Sequence, residues 1–173
     1  IDTSSLKPKA KILDIAAGTA DLTLAFAKAN KDYKILQTDI NHSMLMEGQK
    51  KLINSGVIIP AITCDAEALP FADNYFDCVT IAFGLRNMTK KENALREVYR
   101  VLSPGGKVLI LEFSHIYQPF QKLYDAFSFK FIPILGKLFA KDELSYRYLV
   151  ESIRVQPSQE KLKEMMEAEA FEK

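Results

Sequence analysis

From residue 11 to residue 113 the chain alternates short runs of consecutive apolar residues with stretches whose apolar positions recur at helical spacing. The runs predict strands over 11–16, 33–38, 61–64, 76–83 and 107–113; the periodic stretches predict helices over 21–29, 43–54 and 89–102. Strands and helices alternating in this way form right-handed βαβ units, and hence a mostly parallel sheet covered by helices on both faces. The expected fold is α/β, a Rossmann-like doubly wound sheet. The helix after the fourth strand is the best signposted. Thr89 and Glu92 make a capping box, Leu95, Val98, Tyr99 and Leu102 form one apolar face, and Ser103-Pro104-Gly105-Gly106 ends it.

Beyond Phe113 the pattern changes. Residues 119–140 are rich in aromatics, with Phe120, Leu123, Tyr124, Phe127 and Phe131 on helical spacing until Pro133 and Gly136 interrupt it. A further helix is expected after Asp142, and another over 157–171 with Leu162, Met165 and Met166 facing inward. No pair of strands follows Phe171, so one sheet edge is expected to stay open and the C-terminus to be incomplete.

Composition narrows the class. A chain of 173 residues suits one domain with a sizeable core, since about 150 residues already bury roughly two-thirds of their unfolded surface. Hydrophobic residues at 48% and charged residues at 26% are those of an ordinary globular protein. A net charge of +1, with scattered lysines and arginines, excludes a phosphate-backbone partner such as nucleic acid. Cys64 and Cys78 stand apart, with no CxxC or His–Cys grouping, which argues against a disulfide framework or a metal site and for a reducing compartment. No apolar run reaches the ~18–20 residues of a membrane-spanning helix, and no signal-peptide pattern opens the chain. The expectation is a soluble, cytoplasmic protein.

The candidate chemistry centres on Ile12-Leu13-Asp14-Ile15-Ala16-Ala17-Gly18-Thr19-Ala20-Asp21, where a strand ends in an acid, passes through small residues and enters a helix. A ligand can lie against bare backbone in such a turn. Asp39, one βαβ unit on, offers a carboxylate to both hydroxyls of a ribose. A dinucleotide needs G-x-G-x-x-G for its pyrophosphate, whereas these positions read Gly18, Ala20 and Thr23. S-adenosylmethionine carries no phosphate and is satisfied by a looser turn. Asp14 either orders the loop or meets the cofactor's ammonium through water; the competing reading is a small-residue turn built only for tight packing.

Two further segments point to the same cleft. In Cys64-Asp65-Ala66-Glu67-Ala68-Leu69-Pro70-Phe71 the Asp65 carboxylate can accept from the exocyclic amine of adenine while the Ala66 amide donates to the ring. The alternative is an Asx turn in which Asp65 satisfies its own loop. The exit of the fourth strand, Ile81-Ala82-Phe83-Gly84-Leu85-Arg86-Asn87-Met88, sets Arg86 and Asn87 just past a strand tip, after a glycine that permits close approach. There Arg86 can activate an anionic or phenolic substrate and Asn87 can fix a substrate oxygen, or Arg86 can simply pair with a neighbouring carboxylate.

Residues 13–24, 39–45, 65–71, 77–87 and 100–114 together closely resemble the ubiquinone/menaquinone biosynthesis C-methyltransferases, a family of class I S-adenosylmethionine-dependent methyltransferases. One family signature reads Arg100-Val101-Leu102-Ser103-Pro104-Gly105-Gly106-Lys107-Val108 and ends in Leu111-Glu112-Phe113-Ser114. The blocks Tyr124-Asp125-Ala126-Phe127-Ser128-Phe129 and Ser145-Tyr146-Arg147-Tyr148-Leu149-Val150-Glu151-Ser152-Ile153 are similar too. Most specific is Phe83-Gly84-Leu85-Arg86-Asn87 combined with Ser145-Tyr146-Arg147-Tyr148-Leu149.

The resemblance implies a single methyltransferase domain over 1–173, with 114–155 as a helical insertion on the substrate side. It implies cofactor contacts at Thr19, Asp39, Asp65, Ala66 and Ala82. With the residues read above, the candidate S-adenosylmethionine set is Asp14, Ala16, Gly18, Thr19, Asp39, Ile40, Asp65, Ala66 and Ala82, and the candidate catalytic pair is Arg86 and Asn87. Ala82 stands where the family usually has serine, Ala17 and Ala20 where glycines are common, and Ser103 where lysine is usual. A stiffer loop or a narrower methionine pocket is the expected consequence of the alanines. Family members also carry a helical region that closes over the site before the first strand, and a final strand pair; both are expected to be missing from a chain that starts at Ile1.

The implied reaction moves a methyl group from a sulfonium to a ring carbon of a polyprenylated hydroquinone, demethylmenaquinol or 2-methoxy-6-polyprenyl-benzoquinol. Arg86, which stays protonated, would stabilise the ionised phenol. His42 and His115 lie outside the loop positions expected of a base, His115 being an outside candidate. The aromatics of 113–139 suit an isoprenoid tail or form an ordinary buried helix pair. Lys122, Lys130, Lys137 and Lys141 favour transient contact with an anionic membrane surface, although solvated lysines are the default. A homodimer is compatible with this reading. The alternatives are a methyltransferase for another phenolic or lipid-like acceptor, and a non-catalytic subunit of a quinone-biosynthesis complex.

Overall fold

Unbroken aliphatic runs suit strands covered on both faces, and each of the five runs forms one. The computed structural model of the chain describes residues 6–113 and 143–172, with backbone alone at 143–147 and 150. Strands β1 (Lys11–Ile15), β2 (Lys34–Asp39), β3 (Ala61–Thr63), β4 (Phe76–Ala82) and β5 (Leu102–Leu111) pair in parallel in the order β3-β2-β1-β4-β5. Helices α1 (Asp21–Ala29), α2 (His42–Asn54) and α3 (Lys91–Val101) connect them, and α4 (Glu143–Val155) and α5 (Gln159–Ala168) follow. The chain divides into two compact units, one of residues 1–112 with 165–173 and one of residues 113–164. The expected mostly parallel α/β sheet is therefore present.

Right-handed crossovers decide the layers. From β1 the chain steps outward through β2 to β3, then returns to pair β4 on the other side of β1. Helices α1 and α2 consequently cover one face and α3 the other. On the first face Ile12, Ile35 and Cys78 pack with Phe26 of α1 and Leu52 of α2. On α3, Ala94, Leu95, Val98 and Val101 are fully buried. Because the connections diverge between β1 and β4, the loops at their carboxyl ends part there and open a crevice.

Several local expectations change. Helix α3 begins at Lys91 without a side-chain cap, so the Thr89–Glu92 capping box does not form. Lys90 stands at the N-cap instead, and its amide donates to the carboxylate of Glu67 at 2.7 Å, a tertiary contact. Tyr99 is 47% exposed and meets Phe171 edge-on, with ring centroids 5.3 Å apart. Leu102 leaves the helix and opens β5, whose register against β4 shifts between Phe76 and Cys78. Leu162, Met165 and Met166 are half-buried on α5. The aromatic run of 119–140, its lysines and His115 lie outside the described residues.

Candidate active site

The loop after β1 is held by backbone and by small residues. Ala16, Gly18 and Ala20 all take positive φ, at 53°, 54° and 65°, a region that costs an L-residue roughly 1–2 kcal/mol. The Ala17 amide donates to the Thr38 carbonyl at 3.0 Å. The Gly18 amide donates to Asp39 Oδ2 at 2.9 Å, and Asp39 Oδ1 accepts from the Asn41 amide at 2.8 Å. A carboxylate has about four acceptor sites, so Asp39 keeps capacity on both oxygens while it ties the first loop to the second. Thr19 is exposed and donates to Asp21 at 3.0 Å; Ile40 is 71% exposed beside Asp39.

Gly84, expected to permit close approach, and two residues not singled out in the sequence, Gly48 and Met44, shape this loop. A Cβ on Gly48 of α2 would lie 2.9 Å from the Gly18 carbonyl oxygen, so only glycine lets the helix approach. A Cβ on Gly84 would overlap that of Ala16, far inside van der Waals contact. Met44 Cε would stand 3.2 Å from a Cβ on Gly18. Gly48 did carry a signal, because a glycine inside a helix costs about 1 kcal/mol against alanine and asks for a packing reason.

Asp14 does not project into the cleft. It is 1% exposed and accepts hydrogen bonds from Thr23 of α1 at 2.5 Å and Thr80 of β4 at 2.7 Å. Burial pushes its carboxyl above the usual carboxylate range, against the pull of the two hydroxyls, and the Asp39 charge adds to the rise. Of its two expected roles, ordering the loop agrees with this geometry, since it joins β1, β4 and the first turn of α1.

The segment after β3 is organised by charge. Asp65 Oδ1 accepts from the Glu67 amide at 2.9 Å, which is the Asx-type turn. Asp65 is exposed, and neither its second oxygen nor the Ala66 amide meets a hydrogen-bond partner among the described residues. The turn and an outward-facing recognition edge therefore coexist. The Cys64 amide donates to the Asp39 carbonyl at 3.2 Å, which puts this segment beside the end of β2.

At the β4 exit, half-buried Ala82 pairs with Leu111, and Phe83 takes φ 56° to turn the chain. Gly84 then leads into a single 3-10 turn, Leu85–Asn87. Arg86 donates from Nη1 to Glu112 Oε1 at 2.8 Å and to the Phe83 carbonyl, while its amide donates to Glu112 Oε2 at 3.2 Å. The ion-pair side chains are only 10% and 4% exposed. Asn87 is exposed, with its amide on the Gly84 carbonyl. Arg86 thus has the neighbouring carboxylate partner that one sequence reading anticipated.

The tips of β1, β2, β3 and β4 together line one edge of the sheet with bare backbone, two accessible acids and one buried acid. A pyrophosphate fits this lining poorly, because the Gly18 amide is committed to Asp39 and the carboxylates would repel it. A phosphate-free nucleoside with a cationic tail, such as S-adenosylmethionine, fits both the charge and the small residues.

Comparison with known proteins agrees. The family model described as the ubiE/COQ5 methyltransferase family matches residues 1–173. Proteins of Burkholderia mallei and Burkholderia thailandensis, each called ubiquinone/menaquinone biosynthesis C-methyltransferase UbiE, are 58% identical over 168 residues, covering 96% of this chain and 69% of theirs. Among solved structures, YcgJ of Bacillus subtilis superimposes with a TM-score of 0.71 at 24% identity, covering 96% of this chain and 64% of its own. The Bacillus halodurans protein BH2331 gives 0.72 at 23% identity, covering 97% and 65%. These two likenesses concern the fold.

Proposed function

Since the chain belongs to the ubiE/COQ5 methyltransferase family, we propose that it transfers the methyl group of S-adenosylmethionine to a ring carbon of a polyprenylated hydroquinone, demethylmenaquinol or 2-methoxy-6-polyprenyl-benzoquinol, in quinone biosynthesis. The observation that carries the cofactor half is Asp39. It bridges the loops after β1 and β2 with one hydrogen bond per oxygen and retains acceptor capacity beside exposed Ile40. In this reading Asp39 takes the ribose hydroxyls, Asp65 and the Ala66 amide take adenine, and Ile40 covers the base. Ala16, Gly18, Thr19 and Ala82 present backbone to the amino-acid end, and Asp14 keeps the loop in shape from below.

S-adenosylmethionine supplies an electrophilic methyl group on a sulfonium whose positive charge is lost on transfer. The acidic lining favours that cation before transfer, so the protein's gain in rate comes from aligning acceptor carbon and methyl group, an effect that orientation can make large. Arg86 and Asn87 serve the acceptor: Asn87 orients an oxygen of the ring and Arg86 stabilises it when ionised. The nearly buried Arg86–Glu112 pair favours a second reading, in which Arg86 shapes the Gly84–Asn87 turn and acts on the acceptor only through it. No helix among the described residues is long and apolar enough to cross a membrane. In this reading a polyprenyl acceptor draws the enzyme, taken as cytoplasmic, to a membrane surface as a peripheral protein.

Calorimetric titration with S-adenosylmethionine, beside an Asp39→Ala variant whose folding is checked by circular dichroism, tests the cofactor site. Binding by the parent and loss in a folded variant is the expected result. Methyl transfer to the two quinols then separates this proposal from another phenolic acceptor. Binding without transfer to any acceptor would favour the non-catalytic subunit.

A further inference from the structure

Arg100 opens a family signature, yet it lies in the last turn of α3, and neither the cofactor assignment nor the acceptor assignment uses it. Its guanidinium donates five hydrogen bonds: Nε to Glu97 Oε1 at 2.7 Å, Nη1 to the Phe71 carbonyl and to Asp73 Oδ1 at 2.7 Å each, Nη2 to the Leu69 carbonyl at 2.9 Å and to Glu97 Oε2 at 2.7 Å. That is the full donor complement of the side chain. Glu97 Oε2 also accepts the Leu69 amide at 2.8 Å. Closer to Asp65, Glu67 Oε1 accepts the Lys90 amide at 2.7 Å. The segment between β3 and β4 contains no helix or strand, so these contacts at 67, 69, 71 and 73 are what tie its polar backbone in place, beside the burial of Leu69 and the Phe71–Phe76 ring contact. Asp65 and Ala66 sit at its start, with their outward groups unmatched among the described residues.

We propose that Arg100, braced by Glu97, is a positioning residue that presets the Asp65–Ala66 edge for adenine, the proposal resting on the S-adenosylmethionine reading above. A loop already ordered loses little conformational freedom when ligand binds, and its polar edge keeps a fixed spacing. Lysine cannot take over, because a point charge on a flexible stem supplies three donors without the planar fork.

The test is the preference for S-adenosylhomocysteine over S-inosylhomocysteine, measured by calorimetry on the intact protein. Inosine carries a carbonyl where adenine has its amine and an N–H where adenine has a ring acceptor, so both partners are mismatched. The parent is expected to prefer the adenosyl ligand at least about tenfold, as a good two-point base contact does. Arg100→Lys is expected to retain its circular dichroism spectrum, to bind the adenosyl ligand about tenfold more weakly and to lose most of the preference, as the direct-contact variant Asp65→Asn does. A role in stability alone would lower the melting temperature and leave the ratio unchanged, and that result overturns the proposal. Should Arg100→Lys fail to fold, Glu97→Gln and Glu67→Gln carry the same comparison, and an unchanged ratio in both is equally fatal. A parent that binds without preference refutes the adenine edge and the inference with it. A parent that binds neither ligand refutes the cofactor reading itself.

Discussion

The loop after β1 and the loop after β3 sit on the same edge of the sheet and are held in opposite ways. The first is fixed mainly by shape: positive-φ residues, two glycines on neighbouring elements, and amide hydrogen bonds to the Thr38 carbonyl and the Asp39 carboxylate over a buried carboxyl. The second is held largely by charge, through Arg100, Glu97, Asp73 and Glu67, alongside the buried Leu69 and the edge-on contact of Phe71 with Phe76. A ligand spanning both would rest on a rigid floor at one end and a charge-tethered edge at the other. The two halves should therefore fail under different perturbations: the first is the more sensitive to added bulk, the second to salt, and the two respond to pH with opposite sign.

The largest effect is expected at Gly84. Its added Cβ would collide with the Ala16 Cβ, which belongs to a short, strained loop and has no flexible end to move aside. Gly84→Ala is expected to lower unfolding free energy by about 1–3 kcal/mol, the usual range for overpacking, and to weaken S-adenosylmethionine binding. The comparison sharpens in the double variant. Ala16→Gly removes the colliding atom and relieves a positive-φ alanine, so urea unfolding of Ala16→Gly/Gly84→Ala should return to within about 1 kcal/mol of the parent. Failure of that rescue would mean that the loop is not held by this contact.

Asp14 and Glu97 give the two halves opposite pH signatures. Burial raises the Asp14 carboxyl above its ordinary 3.8. The folded state holds that proton longer than the unfolded chain, so this contribution to stability is full below the ordinary value and is lost as pH rises through the raised one. Asp14→Asn, similar in size and neutral, should melt higher than the parent at neutral pH, with the gap closing as pH approaches 3.8. Glu97 behaves in reverse. Hydrogen bonds from Arg100, foremost among the causes, hold it below its ordinary 4.5, so its contribution is present above that value and disappears as pH falls through the lowered one. Glu97→Gln should cost about 1 kcal/mol at neutral pH, fade in acid, and shrink in high salt because the pair is partly solvated. Melting curves of both variants across pH 3–8 are the check, and two profiles of the same sign would break the contrast.

How much of this was legible in the sequence follows the range of the interactions. Helix α1 appears over the expected residues because its cause, apolar spacing after a small-residue turn, is local. The acids at the ends of β1 and β2 were identifiable from their place after apolar runs. The capping box failed because the helix starts one residue later than expected, with Lys90 as its N-cap and the Lys90 amide on Glu67, a partner remote in sequence. Tyr99 fitted the helical period, yet periodicity cannot foresee that its neighbour would be Phe171 at the edge of the fold. The partner of Arg86 lies in Glu112 on another strand exit, and the reason for Gly84 lies in Ala16. Such pairings exist only once the strand order is set, so residue type marked these positions without saying what each would touch.

Gly48 yields the smallest change in stability and the cleanest separation of shape from stability. Replacing a mid-helix glycine by alanine favours the helix by about 1 kcal/mol. Against this, the new Cβ would lie 2.9 Å from the Gly18 carbonyl and 3.1 Å from the Ala20 Cβ, and as neither is the end of a flexible side chain, helix or loop backbone must shift. The opposing terms are of similar size, and Gly48→Ala should unfold within about 1 kcal/mol of the parent. Its displacement acts on the backbone that Asp39 anchors through Gly18, so S-adenosylmethionine affinity should fall about tenfold while stability hardly moves. Calorimetry beside urea unfolding reads both quantities. Unchanged affinity would mean that the loop absorbs the push without altering its ligand-facing side, and the first half of the site would then be more pliant than its packing implies.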